Sequence, residues 1–337
     1  MPTERGLKVL QVIVEDFVAT REPVGSKTIV NRHGFDVSAA TIRNDMAQLE
    51  EEELIAAPHT SAGRVPTDKG YRVFVDNIHR VSGLSDAQRR AIHAFLDEST
   101  DLEDALDRTV RLLAQLTQQL AIVQYPSLGR SRVRHVELVP ESDTDLLIIL
   151  ILDSGRIYQR VIETAGCGPS VEVRNAVNAF LGGRRLSEVD ACRPAVVEAV
   201  SERARPLSES VLDGLASLVD DTRTEKLVVA GAANLIRSTG DFSGSVTPIL
   251  EAIEEQVVML RLMSEIQVPH RGVGVRIGHE TDVTGLEEAA VVAGSYEAGN
   301  TEVAKVGVVG PTRMAYSRNM AAVRAVASYL SRLFADR

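Results

Sequence analysis

The residues of this 337-residue chain best suited to a chemical task lie between Ser38 and Gln48. At helical spacing Ile42, Met46 and Leu49 share one face, which leaves Ala40, Thr41, Arg43, Asn44 and Gln48 pointing away from it. Those outward types match the edges that base pairs present in a major groove. Asn44 and Gln48 can pair with adenine, and Arg43 with guanine or a phosphate. Small Ala39 and Ala40 allow close approach and contact with a thymine methyl group. Ser38 opens this helix, so the positive end of its dipole faces phosphate. The run Glu50-Glu51-Glu52-Glu53 would be repelled by a nucleic-acid backbone, so that end must point away.

The elements that must hold this face are legible around it. Leu7, Leu10, Ile13, Val14 and Phe17 recur at helical spacing and predict a first helix. Ser26 is placed to cap a short second helix that stops at Gly34. The turn Gly34-Phe35-Asp36-Val37 leads into the helix from Ser38, the geometry of a helix-turn-helix. Leu54–Pro58 and Arg64–Pro66 flank a polar tip, Thr60-Ser61-Ala62-Gly63, and read as a hairpin wing. Arg64 is expected at that tip, within reach of an adjacent phosphate or minor groove. Thr67 caps a fourth helix whose apolar face carries Tyr71, Phe74, Val75 and Ile78. Ser26, Lys27 and Thr28 join the candidate contact set, which is otherwise Ser38, Ala39, Ala40, Thr41, Arg43, Asn44, Gln48 and Arg64.

Net charge alone points the other way. The chain carries −10 at neutral pH, and residues 1–80 hold ten Lys/Arg against twelve Asp/Glu. Contact with phosphate therefore requires a local positive patch rather than a basic domain. No apolar run is long enough to span a membrane, and the start has no signal-peptide core. Cys167 and Cys192 are far apart, which excludes a CxxC zinc site or a disulfide framework and indicates a reducing cytoplasm. Gly272, Gly274 and Gly278 narrowly miss GxGxxG and lack its strand-to-helix context. The histidines, His33 and His59 among them, show no metal-ligand spacing. No catalytic constellation, metal site or cofactor is indicated.

Beyond residue 80 the texture changes. Residues 81–125 read as a helical connector, with Ser85 and Gln88 as a capping box and a stripe at Leu102, Leu106, Leu113, Leu116 and Leu120. Strand patterns follow at Val136–Val139, Leu146–Leu152 and Arg156–Ile162, the last two joined by the turn Asp153-Ser154-Gly155. Residues 170–222 are helical, with breaks at Gly182-Gly183 and Pro194. A short apolar run covers Leu227–Ala230, and helices are expected near Ala232–Arg237 and over Pro248–Ile266. Strands return at Val273–Ile277, Ala289–Ser295 and Val303–Val309, before a final helix from about Thr312 to Phe334. Strands, helices and strands again predict an α+β domain with a helical insertion.

Three stretches carry a family resemblance. They are Pro23–Lys27 with Val37–Met46, the wing and its helix from His59 to Arg72 (His-Thr-Ser-Ala-Gly-Arg-Val-Pro-Thr-Asp-Lys-Gly-Tyr-Arg), and Val306–Tyr316 (Val-Gly-Val-Val-Gly-Pro-Thr-Arg-Met-Ala-Tyr). Together they resemble the heat-inducible transcription repressor HrcA family, in order and over essentially the whole chain. The resemblance implies a multidomain α+β chain: a winged helix-turn-helix over 1–80, the connector 81–125, a discontinuous GAF-like domain over 126–168 and 268–337, and an inserted dimerisation domain over 169–267. It implies a cytoplasmic, nucleoid-associated homodimer that binds an inverted-repeat operator called CIRCE on double-stranded DNA, with the GroEL chaperonin modulating its activity. A different expectation is a regulator answering to a small molecule held in the GAF-like domain. A packed interior argues against that, and Leu146–Leu152, apolar on both faces, favours a packed interior. An enzyme with an accessory DNA-binding domain is the remaining alternative. Dimer contacts are expected outside 1–80, in the helical block 170–265.

Overall fold

A computed structural model describes residues 2–335 except 60–61, 79–84, 127–131, 154, 156, 165, 167–169, 224–225, 243, 245, 270–271 and 299–300. Thr60 and Ser61 of the expected wing tip, Ser154 of the expected turn, Arg156 and Cys167 thus lie outside the described residues.

Three helices open the chain, α1 (Glu4–Thr20), α2 (Ser26–His33) and α3 (Ala39–Glu51). A minimal hairpin, β1 (Ile55–Ala56) with β2 (Val65–Pro66), leads to α4 (Asp68–Asp76). Local chemistry fixes their starts: the hydroxyls of Thr3, Ser38 and Thr67 accept from the amides of Gly6, Thr41 and Gly70. Such a cap contributes about 1 kcal/mol. The capping residue of α2 is Gly25 rather than Ser26, which is the first helical residue, and α2 ends at Gly34 with φ +61°.

After α5 (Asp86–Asp97) and α6 (Leu102–Thr117) comes β3 (Leu120–Gln124). Leu120 therefore does not extend the helical stripe but begins a strand, and the expected connector contains part of a sheet. Strands β4 (Val133–Pro140), β5 (Asp145–Leu152) and β6 (Ile157–Glu163) precede helices α7 (Ser170–Leu181), α8 (Val189–Glu198) and α9 (Arg205–Arg223). Pro194, expected to break a helix, sits inside α8. Next are β7 (Leu227–Ala230), α10 (Ala232–Arg237), α11 (Thr247–Glu254) and α12 (Gln256–Glu265), the last two in place of one expected helix. Then β8 (Gly274–Ile277), β9 (Ala289–Ala298), β10 (Thr301–Pro311) and α13 (Tyr316–Ala335) close the chain. Among the described residues no helix is long and apolar enough to cross a membrane.

The chain divides into two compact units, one of residues 1–124, 227–296 and 305–330, the other of 125–226, 297–304 and 331–337. The first holds the winged helix-turn-helix and a five-stranded sheet in the order β7-β3-β10-β9-β8. Leu120–Val123 of β3 and Ala289–Ala293 of β9 are buried on both faces. One face packs on Leu235, Ile249, Met259, Leu262 and Met263 from α10 to α12. The second unit holds the sheet β4-β5-β6, where Leu146, Ile148, Leu150 and Leu152 bury against α7–α9. Leu147, Ile149 and Ile151, which alternate with them, do not.

These units are cut elsewhere than the expected domain boundaries. Strands 133–163 form their own sheet, whereas 227–265, expected inside the insertion, supply a strand and helices to the sheet of β8–β10. The physical reason is that a hairpin is local and visible in sequence, while the sheet it joins is set by non-local burial. The α+β, multidomain class is nonetheless what the sequence predicted.

Candidate nucleic-acid interface

The inward face of α3 is wider than the apolar spacing implied. Ile42, Met46 and Leu49 are buried, and so is Asp45. Arg5 of α1 grips Asp45 through two parallel bonds, Nε to Oδ2 at 2.7 Å and Nη2 to Oδ1 at 2.9 Å. The hydrogen bond to Asp45, with its charge, raises the Arg5 pKa above its ordinary value. This pair clamps α1 to α3 and turns a carboxylate away from the outer face. Asp45 was missed as a site residue, yet its place three after Ile42 and four before Leu49 put it on the inner stripe.

The outer face carries Ala40, Arg43, Asn44 and Gln48, all exposed, with Ala39 and Thr41 half-buried beside them. Ser38 is exposed and its hydroxyl lies 3.1 Å from that of Thr41. Ser26 and Thr28 are half-buried at the start of α2, and Lys27 is exposed. A cleft of about 420 Å³ brings Ser26, Lys27, Arg43, Ala47, Gly63 and Arg64 together. Thr28, Asn44 and Gln48 do not line it, and continue the exposed surface instead.

Arg64 is not at the wing tip. It sits at the base, where its backbone pairs with Val24 through two bonds of 2.9 Å. Gly63 makes this possible, since a Cβ there would stand 2.6 Å from the backbone of Pro23 and Val24. The Arg64 guanidinium donates to Glu50 from Nε at 2.9 Å and Nη2 at 2.8 Å, tying the wing to the end of α3. The hairpin pattern located the wing but not which of its residues lay at the apex.

Ion pairing decides where a domain of balance −2 keeps unpaired positive charge. Arg5, Lys8, Arg21, Arg32, Arg64, Lys69 and Arg72 are each held by a carboxylate. Among the described residues up to 78, Lys27 and Arg43 are the lysine and arginine side chains with no ion pair. Both border the cleft. Acidic groups such as Asp16, Asp45 and Glu50 are spent on internal pairs, and the two cations without one, Lys27 and Arg43, sit together between α2 and α3.

Residues 103–320 match the family model described as the HrcA protein C terminal domain. Proteins named heat-inducible transcription repressor HrcA are similar over their whole length. That of Clavibacter michiganensis subsp. michiganensis (strain NCPPB 382) is 57% identical over 341 residues, covering 100% of each chain. That of Streptomyces albus G is 48% identical over 339 residues, again covering 100% of each. A crystal structure described as a hypothetical protein superposes with a TM-score of 0.64 at 26% identity, covering 100% of this chain and 99% of its own.

Proposed function

The chain belongs to the heat-inducible transcription repressor HrcA family, and from that membership we propose that it represses chaperone operons as a homodimer, with α3 of each protomer in the major groove of one half of an inverted-repeat operator. The observation that carries this reading is the paired fate of every described lysine and arginine of residues 2–78 except Lys27 and Arg43. Those two flank the exposed run of Ala40, Asn44 and Gln48. Phosphate contact from Lys27 fixes register while Arg43, Asn44 and Gln48 read base edges.

The dimer contact is assigned to the sheet β4-β5-β6 rather than to the helical block. On its outer face the register sets Val139, Leu147 and Val161 in one row and His135, Ile151 and Ile157 in another. Ile157 and Val161 are 58% and 51% exposed. Leu146–Leu152 is apolar on both faces because one face meets the core and the other a partner. The row between those two, Glu137, Ile149 and Gln159, is mixed, and exposed apolar groups clustered on both sides of it mark an interaction surface. In contrast, the five-stranded sheet is packed with side chains on both faces, which supports partner control over a small-molecule pocket. Modulation by the GroEL chaperonin rests on family membership.

Footprinting upstream of the source organism's chaperonin genes tests the reading, using the parent, Arg43→Ala and Asn44→Ala. Protection of two symmetric half-sites by the parent, absent in both variants, is expected. No protected inverted repeat would overturn it.

A further inference from the structure

The two most specific stretches of the sequence, the wing helix ending at Arg72 and Val306–Tyr316, play little part in the interface described above. In the fold they meet. Tyr71 of α4 and Tyr316 of α13 are buried with ring centroids 5.7 Å apart and planes at 47°. Asp68, Tyr71 and Arg72 stand at i, i+3 and i+4, on one face of α4. The Asp68 carboxylate accepts from the amide of His279. Gly278, at φ +55°, permits this, because a methyl group there would overlap that carboxylate. Arg72 donates to Glu280 through Nε at 2.8 Å and through Nη2, and Nη2 also reaches the Val275 carbonyl at 2.8 Å.

A second attachment lies on α1. Arg313, at the junction of β10 and α13, pairs with Asp241 and stacks its guanidinium 5.4 Å from the centre of the Phe17 ring. The other Asp241 oxygen accepts from Arg21 at 3.0 Å. The Arg313 and Asp241 side chains are only 10% and 7% exposed. Burial, then the like charge of Arg21, pulls the Arg313 pKa down.

As a source of stability this arrangement is poor. Desolvating an ion pair offsets most of its attraction. The Tyr71 hydroxyl and Arg313 Nε are also buried with no hydrogen-bond partner. As a device for orientation it is good. One attachment would leave a pivot, whereas two on different helices fix rotation as well as position. Both α1 and α4 belong to the bundle that carries α3. We propose that these two attachments form a rigid joint between the winged helix and the five-stranded sheet, making Arg313, Asp241 and Arg72 positioning residues that set operator half-site spacing. This rests on α3 reading one half-site per protomer, since that spacing follows from how each recognition helix is held.

The test uses the full chain with Cys167 and Cys192 replaced by Ala and spin labels at E51C on α3 and V257C on α12, both exposed positions. Arg313→Ala removes the buried ion pair of one attachment, Glu280→Gln removes the charge and one of the two acceptor oxygens that hold Arg72 in the other, and folding is checked by circular dichroism. With labelled chain diluted in excess unlabelled chain, so that a dimer carries one labelled protomer, the parent should give one narrow distance distribution and each variant a broad one. A narrow distribution in the variants overturns the joint, whatever DNA does. Unlabelled proteins are then titrated with the footprinted duplex, the same duplex with its spacer lengthened by half a helical turn, and one isolated half-site. The parent's preference for native spacing, at least about 100-fold, should fall to within about 3-fold in the variants, with half-site affinity unchanged. A spacing preference kept by the variants overturns the positioning role. A parent without any spacing preference overturns operator reading instead, and the distance distributions still decide the joint. Should Arg313→Ala fail to fold, Glu280→Gln, whose side chain is 34% exposed, decides alone.

Discussion

At the level of single residues, the division between inward and outward side chains of α3 governs what each change should do. Arg43→Ala and Asn44→Ala should each cost roughly 1–3 kcal/mol of operator affinity per base contact and leave thermal unfolding unchanged. Lys27→Ala should weaken specific and random DNA alike. It should lower the slope of log affinity against log salt by about 0.9 for each phosphate that Lys27 neutralises, measured by titration at several salt concentrations. Asp45→Asn should do the reverse, lowering the unfolding temperature while leaving base contacts in place, because the charge and one of the two acceptors that hold Arg5 are lost. The outer face was legible because a helix of regular pitch assigns every side chain a direction once three apolar positions are known. The same rule placed Asp45 inside, but a carboxylate among apolar residues reads as a surface group until its partner, 40 positions earlier, is seen. Arg64 was misplaced because alternation locates a hairpin without specifying its apex.

At the level of elements, the wing and α4 offer sharper tests than the helices. Gly63→Ala should push the wing base away from Pro23 and Val24 and cost about 1–3 kcal/mol, read by thermal unfolding. The attachment at Glu280 predicts a pH dependence. Burial alone would raise the Glu280 carboxyl. Hydrogen bonds from Arg72 and the Ile277 amide, with the charges of Arg72 and Arg276, more than reverse this and leave it below its ordinary value. A carboxyl depressed by folding stabilises the fold above its unfolded pKa and loses that contribution as pH falls through the folded value. Glu280→Gln should therefore be less stable than the parent at neutral pH, with the gap closing below about pH 4. Neighbouring Asp68 shifts upward, chiefly through burial and in small part through the charge of Glu280, so Glu280→Gln also moves Asp68 partway back toward its ordinary value. Caps and helical spacing made α1 to α4 readable. β3 and β7 were not, because a run of only four apolar residues lacks any period that distinguishes a strand from the end of a helix.

For the whole molecule, the decisive feature is which apolar surfaces find cover within the chain. On the proposed assembly, Ile157→Asp and Val161→Asp should leave a folded monomer by sedimentation where the parent is a dimer, with operator affinity falling toward that of a half-site. The separate sheet of residues 133–163 was hidden from the sequence because its strands look alike whether they pair with each other or join β8–β10. Order of synthesis adds a consequence. β3 pairs on one side with β7, where Gln124 faces Leu227, and on the other with β10, where Val123 faces Val306. Both neighbours are translated after it, about 100 and 180 residues later. At roughly 5–20 residues per second, β3 leaves the ribosome with neither partner in existence for about 5–20 s, and with one edge bare for longer. Its Leu-Ala-Ile-Val core is the kind of open strand that other nascent chains can capture. The yield of folded protein should therefore fall whenever the supply of molecules that shield such strands runs short.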